Sequence, residues 1–255
     1  MSSTGAPASG PLVRLRHDAA TEPEGGHDLW VFGYGSLMWH PGFAYAQAIR
    51  ARLTGWHRCF CIWSVVYRGT PLHPGLVLGL DRGGVCEGIA FRVAPEYARE
   101  AISYLRWREQ VTGVYRETLV PVELAGPARR RVCAVTYLAE PAHPGYAGDL
   151  PLRLQAALIR AGRGRSGPNL DYFASTLKHL AELSIREPAL ERLGVLVSSL
   201  LVRKSGCIPT ARVARAEVTS PVPLAARRRF KALNPGERRR FAHRRATATW
   251  PVAGA

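Results

Sequence analysis

Hydrophobic and polar positions change their rhythm along this chain, and the changes divide it. A four-residue apolar run, Leu29 to Phe32, is the right length for a buried strand. It leads into Gly33-Tyr34-Gly35-Ser36, a sharp loop in which two glycines without Cβ atoms let the backbone approach a ligand closely. A second strand is predicted over Leu53–Ser64, dense in aromatics, and ends at the breaker cluster Tyr67-Arg-Gly-Thr-Pro71. Leu76–Leu80 and Val85–Val93 read as two further strands, and Asp81-Arg-Gly-Gly84 between them predicts a hairpin turn.

Period 3.6 appears next. A helix is predicted from Pro95, with proline at a favourable first position and an apolar stripe at Ala98, Ile102 and Leu105. Strands return over Thr118–Leu124 and Arg131–Leu138, split by Gly126-Pro127, and a Pro/Gly-rich loop follows over Glu140–Asp149. Three helical patterns close the ordered part: Leu150–Ala161, Leu170–Leu183 and Pro188–Leu201. Asn169 and Asp171 read as cap residues of the middle one. Strands first and helices last argue an α+β fold and not a βαβ sheet. No internal repeat is present.

Composition refines this picture at the ends. Residues 1–28 are small, polar and Pro/Gly-rich and read as a disordered leader. They lack the continuous apolar core of a signal peptide. Residues 203–255 hold 13 Arg or Lys against two Glu, +11 of the chain's net +16, and read as a basic, disordered tail. A net charge of +16 suggests a polyanionic partner such as nucleic acid. Concentration of that charge in the tail, and the presence of only three lysines among 35 basic residues, weaken the inference. The remaining stretch, 29–202, is the expected folded domain. Apolar residues make up 47% of the chain, enough for a sizeable core. The most apolar helical run, Leu193–Val202, is too short to span a bilayer.

Five cysteines, at 59, 61, 86, 133 and 207, form no CxxC pair and suggest neither a disulfide framework nor zinc. Reduced thiols fit the cytoplasm. Ser36 lacks the GxSxG setting of a hydrolase nucleophile, GYGSL is not a P-loop, and no HExxH element occurs.

The string GYGSLMWHPGF, residues 33–43, resembles the opening motif of the ChaC family, glutathione-specific γ-glutamylcyclotransferases. The resemblance continues through GWHRCFCIWSVVYRGTPLHPGLVLGLDRGGVCEGIAFRV at 55–93 and YLRWRE at 104–109 with Tyr115 following. It extends to Tyr146-Ala-Gly148 and to GPNLDY at 167–172. It covers about residues 29–202. The spacer from Glu109 to Tyr115 is longer than in some members, and neither the leader nor the tail has a counterpart.

The resemblance implies a γ-glutamylcyclotransferase-like mixed β-barrel flanked by helices, with the ligand at the YGSL loop. It implies glutathione as substrate; no cofactor and no metal are expected, because metal-ligand spacing is absent and the substrate supplies its own nucleophile. Glu109 becomes the catalytic carboxylate, although from spacing alone it reads as a solvated helix-end Glu paired with Arg106 or Arg108. Gly33, Tyr34, Gly35, Ser36, Leu37 and Met38 become substrate-binding residues, where turn chemistry is the alternative. Arg68 either meets a glutathione carboxylate or makes a surface salt bridge. Tyr172 either hydrogen-bonds substrate or packs in the core. The competing functions are a non-catalytic γ-glutamyl-binding protein and a nucleic-acid-binding protein acting through the tail. No membrane association is expected, and the location expected is cytoplasmic.

Overall fold

A computed structural model describes residues 26–110 and 112–202. The tail expected over 203–255, and the leader up to residue 25, lie outside the described residues. Five strands close into a barrel in the order β1-β3-β2-β4-β5. They are β1 (Leu29–Gly33), β2 (Gln47–Ser64), β3 (Gly75–Val93), β4 (Tyr115–Leu124) and β5 (Arg131–Ala139). β1 runs antiparallel to β3 along its whole length and meets β5 in parallel at Val31 and Val135. All five residues of β1 are buried.

The hairpin predicted between Leu76 and Val93 does not form. β3 passes straight through Asp81–Gly84 as one strand, and the hairpin it makes is with β2, across the 65–74 connection. The register steps from Thr54 opposite Val85 to Trp56 opposite Arg82, so Gly55 faces both Gly83 and Gly84. These three glycines have φ of +88°, +96° and +69°, a region that side chains other than glycine rarely adopt. The breaker signal is thus absorbed as a bulge that coils two long strands together. β2 is 18 residues long and pairs with both halves of β3, which removes any need to turn back.

Among the described residues, four helices pack outside the barrel. α1 (Pro95–Glu109) buries Ala98, Ile102 and Leu105, the predicted stripe, together with Ala101. α2 (Leu152–Ala161) buries Ala156 and Ile159, and α3 (Asn169–Glu182) buries Phe173, Thr176 and Leu180. α4 (Pro188–Val202) contributes Leu190, Leu193 and Val197. A two-residue ribbon, β6 (Arg163–Gly164) with β7 (Gly167–Pro168), links α2 to α3. Phe32, Phe60, Phe91 and Tyr137 are fully buried, and each large apolar side chain buried contributes about 1.5–3 kcal/mol. No described helix is long and apolar enough to cross a membrane.

Asn169 is not a helix cap. Pro168 occupies that position, and no side chain caps the helix. The Asn169 side chain is fully buried and clasps β3: its Oδ1 accepts from Leu76 N–H and its Nδ2 donates to Leu76 C=O, both at 2.7 Å. An amide side chain presents the same donor and acceptor pair as a peptide, so it substitutes for a neighbouring strand.

Candidate active site

The loop after β1 folds back on its own strand. A Cβ on Gly33 would stand 3.0 Å from Leu37 Cβ, a contact that leaves little room for a side chain. Gly35 then opens a single 3-10 turn, Ser36–Met38, in which Met38 N–H donates to Gly35 C=O and His40 N–H to Ser36 C=O, each at 2.9 Å. The N–H groups of Gly35, Ser36 and Leu37 make no hydrogen bond among the described residues. Tyr34 is buried and its hydroxyl donates to Tyr137 C=O at 2.9 Å, which ties the loop to β5.

The last turn of α1 faces this loop. Glu109 is the final helical residue, and its side chain is 19% exposed. It pairs with Arg108 at 3.0 Å, one of the two partners expected of it, but in a recess and not in solvent. Arg106 instead holds Glu117 on β4, at 2.9 Å through Nη2. Burial pushes the Glu109 carboxyl above the ordinary value of 4.5, and the Arg108 guanidinium beside it pulls back part of that rise. Arg108 also donates to Ser36 Oγ at 2.8 Å and to His40 C=O at 2.5 Å. One guanidinium therefore joins the helix end that carries Glu109 to the loop that carries the free N–H groups.

Four phenols surround the carboxylate. Burial raises the pKa of Tyr34, Tyr115, Tyr137 and Tyr172, and the nearby Glu109 charge raises each further. For Tyr172 the result is about 12, so it is a neutral hydrogen-bonding group at physiological pH. Tyr115 donates its hydroxyl to Leu78 C=O at 2.6 Å. Arg68 reaches over the Tyr172 ring at 5.4 Å and donates to Ser166 C=O at 2.6 Å and Pro168 C=O at 3.2 Å. It is thus fastened to the β6–β7 ribbon.

Of the residues expected from the sequence, Tyr34, Gly35, Ser36, Leu37, Arg68, Glu109 and Tyr172 line one open cleft of about 820 Å³. Gly33 and Met38 do not line it. Gly33 completes β1, and the Met38 side chain is buried behind the loop, with its sulfur 3.9 Å from Arg58 Nη2. Sequence reasoning missed Arg108, Tyr137 and Arg165, which also line the cleft. Tyr137 sits in an unremarkable strand, and Arg165 lies in a ribbon too short for any periodicity. Only the adjacency of Arg108 to Glu109 carried a signal, and it was read as a competing salt bridge.

The order of these parts along the chain matches a known pattern. The family profile described as ChaC-like protein matches residues 29–200. The chain belongs to the ChaC-like family. This ChaC-like chain is similar to the glutathione-specific gamma-glutamylcyclotransferase of Escherichia coli (strain K12), with 36% identity over 182 residues, 71% of this chain and 78% of that one. It is similar to the human glutathione-specific gamma-glutamylcyclotransferase 1, with 36% identity over 172 residues, 66% of this chain and 78% of the relative. A crystal structure of a γ-glutamyl cyclotransferase specific to glutathione from yeast superposes with a TM-score of 0.61 at 25% identity, covering 68% of this chain and 99% of the yeast one. The ChaC-like barrel with its flanking helices is thus the fold expected from the sequence.

Proposed function

We propose that this protein is a γ-glutamylcyclotransferase that degrades glutathione to 5-oxoproline and Cys-Gly. The observation that carries the reading is Glu109: a carboxylate with a raised pKa, opposite a loop with three uncommitted N–H groups, in one cleft. The names of the curated relatives and the family match support the same substrate.

The reaction needs no nucleophile from the protein. The α-amine of the γ-glutamyl group attacks its own γ-carbonyl carbon, forming the C–N bond of a five-membered lactam. Glu109 takes the proton that the attacking nitrogen sheds as this bond forms. The tetrahedral intermediate carries an oxyanion, and the N–H groups of Gly35, Ser36 and Leu37 are the donors suited to it. Collapse breaks the amide bond to the cysteine nitrogen, and Glu109 returns its proton to that leaving amine. One carboxylate thus serves both steps, which favours a pKa raised toward working pH. Holding the substrate folded back on itself is the other large contribution, roughly 7–11 kcal/mol for a well-oriented intramolecular attack. We assign Tyr34, Tyr115 and Tyr172 to the walls that enforce that conformer and exclude water, Ser36 and Leu37 to the loop contact, and Arg68 to the far end of the peptide.

The same reading puts the protein in the cytoplasm, where glutathione is reduced and the free thiols of Cys59, Cys61, Cys86 and Cys133 are at home. The test is release of 5-oxoproline from glutathione by purified protein. Stoichiometric binding without release would instead favour a γ-glutamyl-binding protein.

A further inference from the structure

Behind the loop, away from the cleft, stands a charged side chain that the chemistry above does not use. Arg58 projects from β2 into the barrel wall and is only 2% exposed. Its Nε donates to Tyr34 C=O at 2.5 Å and its Nη2 to Glu87 C=O at 2.5 Å. Its Nη1 forms an ion pair with Glu187, which lies in the connection between α3 and α4 and is 17% exposed. A buried arginine with one carboxylate partner and two carbonyls is an expensive arrangement to maintain for packing alone. Tyr34, whose carbonyl it grips, lies at the entry to the loop.

The peptide that joins Tyr34 to Gly35 is trans, because the described chain contains no cis bond. In a trans peptide the C=O and N–H vectors point in opposite directions. With the Tyr34 carbonyl turned back onto Arg58, the Gly35 N–H is turned away from it. Gly35 lines the cleft and Arg58 does not. The Gly35 N–H is also one of the three without a partner. A cation on the carbonyl end additionally polarises the peptide, strengthening its N–H as a donor.

We propose that Arg58, clamped by Glu187, is a positioning residue that fixes the Tyr34–Gly35 peptide so that its N–H is aimed at the oxyanion of the cyclisation. The inference rests on the γ-glutamylcyclotransferase reading and adds to it two residues outside the cleft. Arg58→Lys keeps the charge and a partner for Glu187, but a single ammonium on a flexible stem cannot reproduce the planar fork that holds Tyr34 C=O and Glu87 C=O together. Glu187→Gln leaves Arg58 intact and loosens its clamp.

The experiment measures kcat and KM for 5-oxoproline release from glutathione by the full chain, wild type against both variants. Rates are normalised to the folded fraction obtained from thermal melts. Arg58→Lys is expected to lower kcat about 10²-fold, the lower end for loss of one oxyanion donor, with KM within about threefold. Glu187→Gln is expected to lower kcat about tenfold, less than the roughly 10² of a 1 Å misplacement at the reacting centre, with KM again unchanged. A purely structural role would reduce the folded fraction and leave kcat per folded molecule untouched, which would overturn the proposal. So would a rise in KM at constant kcat, which would make the loop a ground-state binding element. If Arg58→Lys fails to fold, Glu187→Gln decides by the same criterion. Wild-type protein that releases no 5-oxoproline would overturn the underlying reading and this inference together, whereas active wild type with unaffected variants would overturn this inference alone.

Discussion

Replacing Glu109 by Gln removes the proton exchange and little else. Gln has nearly the same shape, and its amide oxygen still accepts a hydrogen bond from Arg108, which in the native protein holds Glu109 at 3.0 Å. The stability change should therefore be small. The substitution relieves the desolvation that raises the Glu109 pKa, and it gives up the charge pairing with Arg108. Arg108 keeps Ser36 Oγ and His40 C=O as acceptors, so no cation is left stranded. These opposed effects leave a net of about 1 kcal/mol in either direction, a shift of roughly 2–4 °C in Tm for a domain of this size. The rate change should be large. General acid–base catalysis contributes about 10² to 10⁴-fold, and here one group acts in both directions. Glu109→Gln is expected to lower kcat at least about 10²-fold while glutathione binding, followed calorimetrically, persists. Glu96→Gln, an exposed substitution on the first turn of the same helix, is expected to leave kcat unchanged. Turnover of Glu109→Gln near the wild-type level, with circular dichroism intact, would remove Glu109 from the chemistry.

The raised Glu109 pKa fixes a pH dependence: the base form is lost as pH falls through it, so the acid limb of kcat should lie above pH 4.5 and be absent in Glu109→Gln. Asn169→Ala should destabilise the fold by about 2–5 kcal/mol in urea titrations, because it leaves the buried Leu76 N–H and C=O without their partner. A chain trimmed to residues 29–202 should remain folded and active; insolubility or loss of turnover would place part of the ends in the domain. Chelator should leave turnover intact, since the substrate supplies its own nucleophile, and inhibition reversed by a divalent metal would contradict the mechanism.

The α+β class and the helix stripes were legible in the sequence because period-2 and period-3.6 patterns report burial directly, whereas the barrel was expected only from the family resemblance. What periodicity does not report is which strand faces which. Gly83-Gly84 has the chemistry of a turn, and only the presence of Gly55 on a long partner strand makes it a bulge. Glu109 and the Tyr34–Leu37 loop were found through a resemblance, not through physics, since a carboxylate at a helix end is commonplace until its surroundings are known. Arg58 was invisible, and Arg108 was visible only as a partner of Glu109, for the same reason: their significance lies in groups brought to them from distant segments, such as Tyr34 and Glu187 for Arg58. Asn169 was assigned the ordinary role of its residue type, and the tertiary partner that overrode it is 93 residues away.

The connectivity of the barrel also sets an order of assembly. β2 and β3 are neighbours in the chain and register along most of their length, so they are the cheapest strands to bring together. β4 and β5 are joined just as locally. β1 must instead find β3 and, across some hundred residues, β5. Such distant pairings form late, after nearer ones have reduced the loop that has to close. The loop bearing the uncommitted N–H groups hangs directly from β1. Catalytic competence thus depends on the barrel's longest-range seam, and hydrogen-exchange labelling during refolding is expected to protect β1 after β2 and β3.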